Sequence, residues 1–269
     1  ELQVVASMPL EEYVAAVVAS ETEPGTPPAA LEAQAVVTRS YALVQPRRHQ
    51  LAAACDLAHC QVLRGRGAAA HLRAASLAAR ATEGEVLRLG SGEIALTPFH
   101  AACGGQTADP REIFPGRDLT GAGAILDPGC ARPWSAAVSP QALRRAATAA
   151  LGEQLRDPRA LTLFRGEGGF VTRVLDRASG RSCTGEAFIR ALGAEVGYGR
   201  VPSPRFALTI EAGSVRLRGA GAGHGVGLCQ AGAARLARQG RGYREILARF
   251  FPAARLARAA PTPGTPGGR

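Results

Sequence analysis

The stretch Leu10–Leu43, LEEYVAAVVASETEPGTPPAALEAQAVVTRSYAL, predicts two helices joined by a short acidic loop. The first helix has apolar residues at helical spacing, tolerates Pro9 in its first turn and has Ser7 as a candidate cap. Thr26 is the candidate cap of the second helix, because two prolines follow it where missing amide hydrogens cost nothing. Pro46 ends this second helix shortly after the quoted stretch.

Outward from this stretch, helix signals alternate with hairpin signals. A helix is expected at about 67–81, and hairpins are expected at 85–96 and 205–219. A Gly-rich turn at 219–232 leads into a further helix. Residues of about 140–199 have the pattern of a helix, short strands and a helix, and they are a candidate second lobe. Helices mixed with antiparallel hairpins predict an α+β fold.

Length and composition suit one large domain or two small lobes. The chain has 269 residues, of which 46% are hydrophobic, and we expect a single domain over 1–258 followed by a disordered Pro/Gly tail at 259–269. Its net charge of +10 suits polyanionic partners, but no dense Arg tract with interleaved aromatics is present, so nucleic acid is not expected as a partner. No stretch approaches the ~20 apolar residues of a membrane span.

The usage of cysteine and the first residue bear on localisation. Six cysteines fit an oxidising compartment better than a reducing one, and the chain begins at Glu1 without Met. We therefore expect a secreted or extracytoplasmic protein whose targeting or anchor segment is absent from this chain.

One short segment concentrates ligands that zinc prefers. Two histidines and two cysteines lie within twelve residues, which is enough for a tetrahedral site, while a Cys55–Cys60 disulfide is the alternative that needs no metal. The remaining cysteines could form two further bridges, whose connectivity cannot be deduced from the sequence. The candidate ligands are His49, Cys55, His59 and Cys60, and the remaining cysteines are Cys103, Cys130, Cys183 and Cys229.

The Gly-rich segment at 219–232 lacks the Gly-x-Gly-x-x-Gly spacing of a dinucleotide site, so no organic cofactor is expected. His224 is flanked by glycines and is sterically open, which suits a ligand contact. A structural turn with a hydrogen-bonded histidine is the alternative reading of the same residues.

Four segments in order resemble the signature of the SpoIID/LytB domain family, the sporulation stage II protein D family. The quoted stretch Leu10–Leu43 resembles its opening signature, CDLAHCQVLRG its Cys-His-Cys-Gln segment, and HAACGGQT its Gly-Gly-x-Thr element. The segment GAGAGHGVGLCQAGAARLARQGRGYREILARFFP resembles its Gly-His-Gly-Val-Gly element. Together these matches run from Leu10 to Pro252.

The resemblance implies a cell-wall protein with two lobes around a cleft. The sporulation member is a lytic transglycosylase that cleaves the MurNAc–GlcNAc bond of peptidoglycan and leaves a 1,6-anhydro end. It prefers glycan strands that an amidase partner has stripped of peptides. Other members are amidase enhancers, so a glycan-binding role without cleavage is the alternative.

The family's functional residues carry over by position. Its catalytic glutamate falls on Glu21, whereas Glu23 has no counterpart, and the zinc ligands of metal-binding members match the Cys-His segment. The serine that usually precedes the glutamine of the last motif is Cys229 here. The candidate substrate-binding residues are Arg39, Tyr41, Gln34, His224 and Gln230.

The implied chemistry needs one acid. A sugar's own C6 hydroxyl is the nucleophile, so one Glu21 carboxyl can donate a proton to the leaving oxygen and accept the hydroxyl proton. Hydrolytic glycosidases use two carboxylates. An Arg39 guanidinium against Glu21 would disfavour the protonated acid, so Arg39 is expected to bind the lactyl carboxylate of MurNAc or a sugar oxygen.

Overall fold

The computed structural model describes residues 5–44, 49, 52–56, 60–63, 69–117, 119, 121–211 and 213–259. Helices alternate with small, mostly antiparallel sheets, which confirms the α+β prediction. His59 and the predicted tail, except residue 259, lie outside the described residues. Within the described part of the chain, no helix is long and apolar enough to cross a bilayer.

The described helices are short. They are α1 (Leu10–Glu21), α2 (Pro28–Val44), α3 (Ala69–Ala81), α4 (Pro110–Ile113), α5 (Pro140–Leu151), α6 (Gly185–Val196), α7 (Gln230–Arg238) and α8 (Tyr243–Phe250).

The strands form four small sheets, with the orders β1-β10, β2-β9, β3-β8-β7 and β4-β5-β6. Only β2 and β9 pair in parallel among these sheets of the described chain. The strands are β1 (Glu85–Leu89), β2 (Phe99–His100), β3 (Pro133–Val138), β4 (Leu161–Arg165), β5 (Val171–Asp176), β6 (Ser182–Thr184), β7 (Phe206–Glu211), β8 (Ser214–Ala220), β9 (Leu228–Cys229) and β10 (Ala254–Arg258).

The first two helices form where the sequence predicts them, but their caps differ. Pro9 occupies the N-cap position of α1 and no side chain caps this end, so the prediction of a Ser7 cap is wrong. The Thr26 hydroxyl donates to the Glu23 carbonyl at 2.7 Å and so closes the turn between the helices. Pro27 accepts the first amide hydrogens of α2 through its carbonyl.

The predicted hairpin at 85–96 is only partly formed. Its turn is closed by Leu89 N–H donating to the Glu93 carbonyl, but the two arms share a single bridge, Arg88 with Ile94. The ladder partner of β1 is instead β10, from the other end of the chain. The predicted hairpin at 205–219 is confirmed as β7 and β8.

Apolar side chains are buried in separate clusters. One cluster joins α2, α7 and α8 to β1, β2 and β9, and a smaller one packs α1 on α3 and on one face of α2. A third cluster, with Leu143, Phe188 and Leu217, unites α5, α6 and the two three-stranded sheets. The third cluster draws on residues outside the predicted 140–199 segment, because β3, β7 and β8 supply one of its sheets.

A buried arginine ties the first three helices to the first sheet. The side chain of Arg39 in α2 is 0% exposed, and its guanidinium donates to both carboxylate oxygens of Glu11 in α1, at 2.8 and 2.5 Å. It also donates to the carbonyls of Ala79 in α3 and Glu85 in β1, at 3.1 and 3.0 Å. One planar guanidinium therefore binds acceptors on three elements and links them to α2, which carries it.

We expect Glu11→Gln to lower the free energy of unfolding by about 3 kcal/mol, because it leaves a buried guanidinium without its counter-charge. Urea denaturation measures this loss. The matched control is Glu195→Gln, whose partner Arg145 is 60% exposed and whose loss should be about 1 kcal/mol or less. Equal losses in the two variants would contradict the structural role of Arg39.

Candidate active site

Glu21 is the last residue of α1, and its carboxylate is held by the backbone of a distant segment. The side chain is half-buried, and its Oε1 accepts the Val62 N–H at 2.7 Å. Glu23 is exposed in the turn that follows. Glu21 and Glu23 are two residues apart in the sequence, but only Glu21 is partly buried and held by a distant backbone amide.

Two glutamines from distant parts of the chain meet beside Glu21. Gln230, the first residue of α7, donates through Nε2 to the Glu21 carbonyl at 3.0 Å and to Gln34 Oε1 at 3.3 Å. Gln34 is 1% exposed and donates to Thr38 Oγ1 at 3.3 Å. The structure thus brings together Glu21, Gln34 and Gln230, three of the residues predicted from the sequence.

The sequence reasoning missed two residues of this site. Tyr13 donates its hydroxyl hydrogen to Gln61 Oε1 at 2.9 Å, and Gln61 Nε2 donates to the Thr38 carbonyl at 3.4 Å. Burial raises the pKa of Tyr13 to about 12, with further contributions from Cys60, Tyr41, Cys55 and Glu21.

Both missed residues, Tyr13 and Gln61, could have been identified from their positions in the sequence. Tyr13 precedes Glu21 by about two helical turns of α1, and Gln61 belongs to the quoted Cys-His-Cys-Gln segment. Tyr41 is half-buried and lies close enough to Tyr13 to contribute to the raised pKa of Tyr13. The segment of residues 60–62 is bonded to both helices: Gln61 to Tyr13 of α1 and Thr38 of α2, and Val62 to Glu21 of α1.

The predicted zinc ligands in the described part of the chain lie close together. The ligand atoms of His49, Cys55 and Cys60 are within 4.8 Å of one another, and His49 Nε2 is 3.3 Å from Cys60 Sγ. The distance between His49 Nε2 and Cys60 Sγ is close to the edge of a tetrahedral zinc site, which is roughly 3.5 Å long. The fourth predicted ligand, His59, lies outside the described residues.

Arg39 has a structural role in place of the predicted substrate contact. Its side chain is 0% exposed, and its guanidinium is engaged by Glu11 and two backbone carbonyls. A polymeric ligand has no access to a fully buried group. The sequence-based expectation failed because a motif arginine can be kept for packing and ion pairing as well as for binding.

His224 lies in a turn whose glycines permit close packing. A Cβ at Gly225, where φ is +83°, would lie 2.2 Å from Phe170, and one at Gly227 would lie 2.0 Å from the Pro98 carbonyl oxygen. His224 Nδ1 accepts the Val226 N–H at 3.0 Å. His224 is thus hydrogen-bonded within the turn, and its contact with a ligand stays a prediction.

His224 also has aromatic and charged neighbours. Its ring lies 5.7 Å from that of His100 and 5.2 Å from that of Phe114, centroid to centroid. Burial, together with smaller contributions from His100 and Arg117, lowers the pKa of His224 to about 3, against the opposing effect of the Phe99 backbone. Burial likewise lowers the pKa of His100 to about 4.

The other cysteines do not support two further bridges. Cys103, Cys130, Cys183 and Cys229 all lie in the described residues, and no disulfide joins any two of them. Cys103, Cys130 and Cys229 belong to the core around α2, whereas Cys183 packs against the core around α5 and α6. The pairing of four cysteines in two bridges therefore has no geometric basis here.

Comparison with known proteins agrees with these features in the amino-terminal part of the chain. The amino-terminal module consists of α1, α2, α3 and β1, and it carries Glu21 and the Cys-His segment. The SpoIID family model, described as Stage II sporulation protein, matches residues 1–89, which confirms the resemblance there and links the chain to cell-wall and sporulation proteins.

A curated relative extends the similarity beyond this module. The chain is 27% identical over 263 residues to an uncharacterized protein of Brachyspira hyodysenteriae. The similarity covers 92% of this chain and 66% of the relative, so the chain spans just under two thirds of the relative's length.

We expect stability to fall as the pH drops from about 6.5 towards 3, because unfolded His224 binds a proton in this range while the folded form stays neutral. The free energy of unfolding should decrease by at most about 1.4 kcal/mol per pH unit for this residue. His224→Asn keeps an acceptor for the Val226 amide but cannot titrate.

Urea denaturation of both proteins at several pH values measures the effect. As the pH falls, the free energy of unfolding of the native protein should decrease more than that of His224→Asn. A pH-independent difference would show that His224 keeps an ordinary pKa in the folded protein.

Proposed function

We propose that this protein is a peptidoglycan lytic transglycosylase that acts on peptide-stripped glycan strands. The observation that carries the proposal is the fixed carboxyl of Glu21, half-buried and held at Oε1 by the Val62 amide. The match of residues 1–89 to the SpoIID family supports a cell-wall substrate. Its net charge of +10 favours anionic wall polymers, an attraction that salt weakens.

Glu21 acts first as the acid and then as the base. Its protonated carboxyl donates the proton to the oxygen between MurNAc and GlcNAc, and the bond from that oxygen to C1 of MurNAc breaks. The C6 hydroxyl of the same MurNAc bonds to C1, and its proton returns to Glu21. The products are a 1,6-anhydro-MurNAc end and a free GlcNAc hydroxyl, with no water consumed.

The Val62 amide selects which oxygen carries the proton. A carbonyl-type oxygen is the better acceptor of an N–H hydrogen bond than a carboxylic hydroxyl, so Oε1 is that oxygen. The transferred proton then belongs to Oε2 of the same carboxyl. The backbone of residue 62 therefore orients the acid towards the scissile bond.

The neighbouring side chains position the sugar and the acid. Gln230 is half-buried and can bond a sugar hydroxyl or N-acetyl group, while the buried Gln34 holds the Gln230 amide from behind. Tyr41 and His224 are proposed to stack against or bond to sugar rings. The six-membered rings of a glycan present both faces and hydroxyls for such contacts.

A zinc ion held by His49, Cys55 and Cys60 would have a structural role. It would supply cross-linking of the Cys-His segment, with the thiolates and imidazole as ligands. Cys60 lies two residues before Val62, whose amide binds Glu21. These ligands therefore stabilise the backbone that orients the acid.

The substrate preference implies a partner and a location. Peptide-stripped strands are produced by an amidase, so we propose that a cell-wall amidase acts before this protein. Both proteins then act outside the cytoplasm, where peptidoglycan is accessible.

We expect Glu21→Gln to reduce the formation of anhydro-MurNAc ends by at least about 100-fold, because the amide retains an acceptor for Val62 but has no proton to transfer. The assay incubates the protein with peptide-free glycan strands and quantifies the ends by mass spectrometry. Glu23→Gln is the matched control, since this acid is exposed in the same loop and should keep full activity.

Two results would contradict the proposal. Strands that stay intact but bound to the native protein would identify a glycan-binding enhancer of an amidase. Reducing MurNAc ends in place of anhydro ends would identify a hydrolase, which needs a positioned water and a second acid.

A further inference from the structure

A second group of metal-binding side chains lies apart from the Cys-His segment. Cys103 follows β2, Asp127 and Cys130 share one loop, and Cys229 ends β9. All four side chains are buried, and their ligand atoms lie within 4.8 Å of one another. Three thiols and a carboxyl thus converge from three separate segments of the chain.

The separations match a tetrahedral zinc site. Zinc–sulfur bonds of about 2.3 Å and zinc–oxygen bonds of about 2.1 Å place neighbouring ligand atoms about 3.6–3.8 Å apart. Cys130 Sγ lies 3.3 Å from Cys229 Sγ, and Cys103 Sγ lies 3.8 Å from Asp127 Oδ2. These two separations lie within about 0.5 Å of the tetrahedral values, and all four ligand atoms lie within 4.8 Å of one another.

Hydrogen bonds surround the cluster as they surround thiolate metal sites. Cys229 Sγ accepts two backbone amide hydrogens, from Cys103 and Gly232, both at 3.3 Å. The guanidinium of Arg235 in α7 pairs with Oδ1 of Asp127, which leaves Oδ2 directed at the Cys103 thiol. Such outer contacts orient the ligands and spread their negative charge.

The backbone also fixes the two ligands of the shared loop. The Asp127 amide donates to the Gly105 carbonyl at 2.9 Å, and the Cys130 amide donates to the Asp127 carbonyl at the same distance. This tight turn brings Cys130 back over Asp127. The backbone thereby fixes the positions of both ligands, while Arg235 orients the Asp127 carboxylate.

Two simpler readings leave part of this arrangement unexplained. Buried thiols packed as small apolar groups need neither the two amide donors on Cys229 nor a buried carboxyl. A disulfide between Cys130 and Cys229 involves only two of the three sulfurs, and it does not account for the buried Asp127 carboxylate next to the Cys103 thiol. One divalent cation engages all four groups and offsets much of their charge.

We propose that Cys103, Asp127, Cys130 and Cys229 form a closed, structural site for one zinc-class divalent cation. This site joins β2, β9 and the start of α7 to the loop of residues 127–130. The ion would take no part in the proposed chemical step, because four protein ligands leave no open position for a substrate.

Metal analysis of the full chain tests this site. The Cys55→Ser/Cys60→Ser double variant, which removes ligands of the other site, is expressed with zinc and purified with a phosphine reductant. Its metal-to-protein ratio, from mass spectrometry of the digested sample, should be about one. Adding Cys130→Ser should abolish the retained zinc, whereas adding Cys183→Ser, the matched control in the other core, should not change it.

Cobalt substitution reports on the ligands directly. Co²⁺ added to the metal-free double variant should give the intense visible bands of tetrahedral coordination and the near-ultraviolet charge transfer of thiolates. Arg235→Gln keeps every ligand and should weaken cobalt affinity by about 10- to 100-fold. This variant keeps the test valid should Cys130→Ser fail to fold.

Three outcomes would overturn the proposal. The first is a double variant that holds no zinc and gives no thiolate charge-transfer band with Co²⁺. The second is zinc that persists at the same ratio after the Cys130→Ser change in a folded protein. The third is a peptide map in which two of Cys103, Cys130 and Cys229 form a disulfide in the native protein.

Discussion

The buried ion pair between Arg39 and Glu11 is the constraint on which the amino-terminal module depends. A guanidinium with 0% exposure must satisfy its donors inside the protein, and here α1, α3 and β1 supply the acceptors. Glu11 stands near the start of α1 and Glu21 at its end, about 15 Å away along the helix axis. Fixing the first end of this helix therefore directs the second end, with the candidate acid, towards α7.

Local patterns predicted the elements that depend on local interactions. The apolar spacing and prolines of residues 10–44 specify α1 and α2, and the turn between β7 and β8 specifies their hairpin. The pairing of β1 with β10 could not be predicted, because its partners come from opposite ends of the chain and no local signal links them. The Ser7 cap failed for a different reason. A residue type that commonly caps helices was present, but α1 begins at Leu10 with Pro9 at its N-cap, so Ser7 is not at the capping position.

The candidate site likewise contains residues that the sequence could identify and contacts that it could not. Glu21 and Gln230 are identifiable because they occupy motif positions, and the structure places them in contact through the Glu21 carbonyl. The Val62 contact could not be predicted, because it is made by a backbone amide that any residue would supply. Arg39 shows the limit of motif reasoning. The sequence identifies an arginine at a motif position, but only its burial in the structure shows that it forms a structural ion pair and does not contact a ligand.

Glu21 is held from two sides, and on each side the contact lies next to a candidate metal ligand. Val62, which binds its carboxylate, follows Cys60 by two residues, and Gln230, which binds its carbonyl, directly follows Cys229. The short backbone between ligand and contact has few torsions through which movement could be absorbed. A catalytic acid at the end of a helix lacks the support of a continuing chain of helical hydrogen bonds. Two cross-linked segments meeting at this end would provide that support, which would give both clusters a structural role beside a proposed reaction that itself needs no metal.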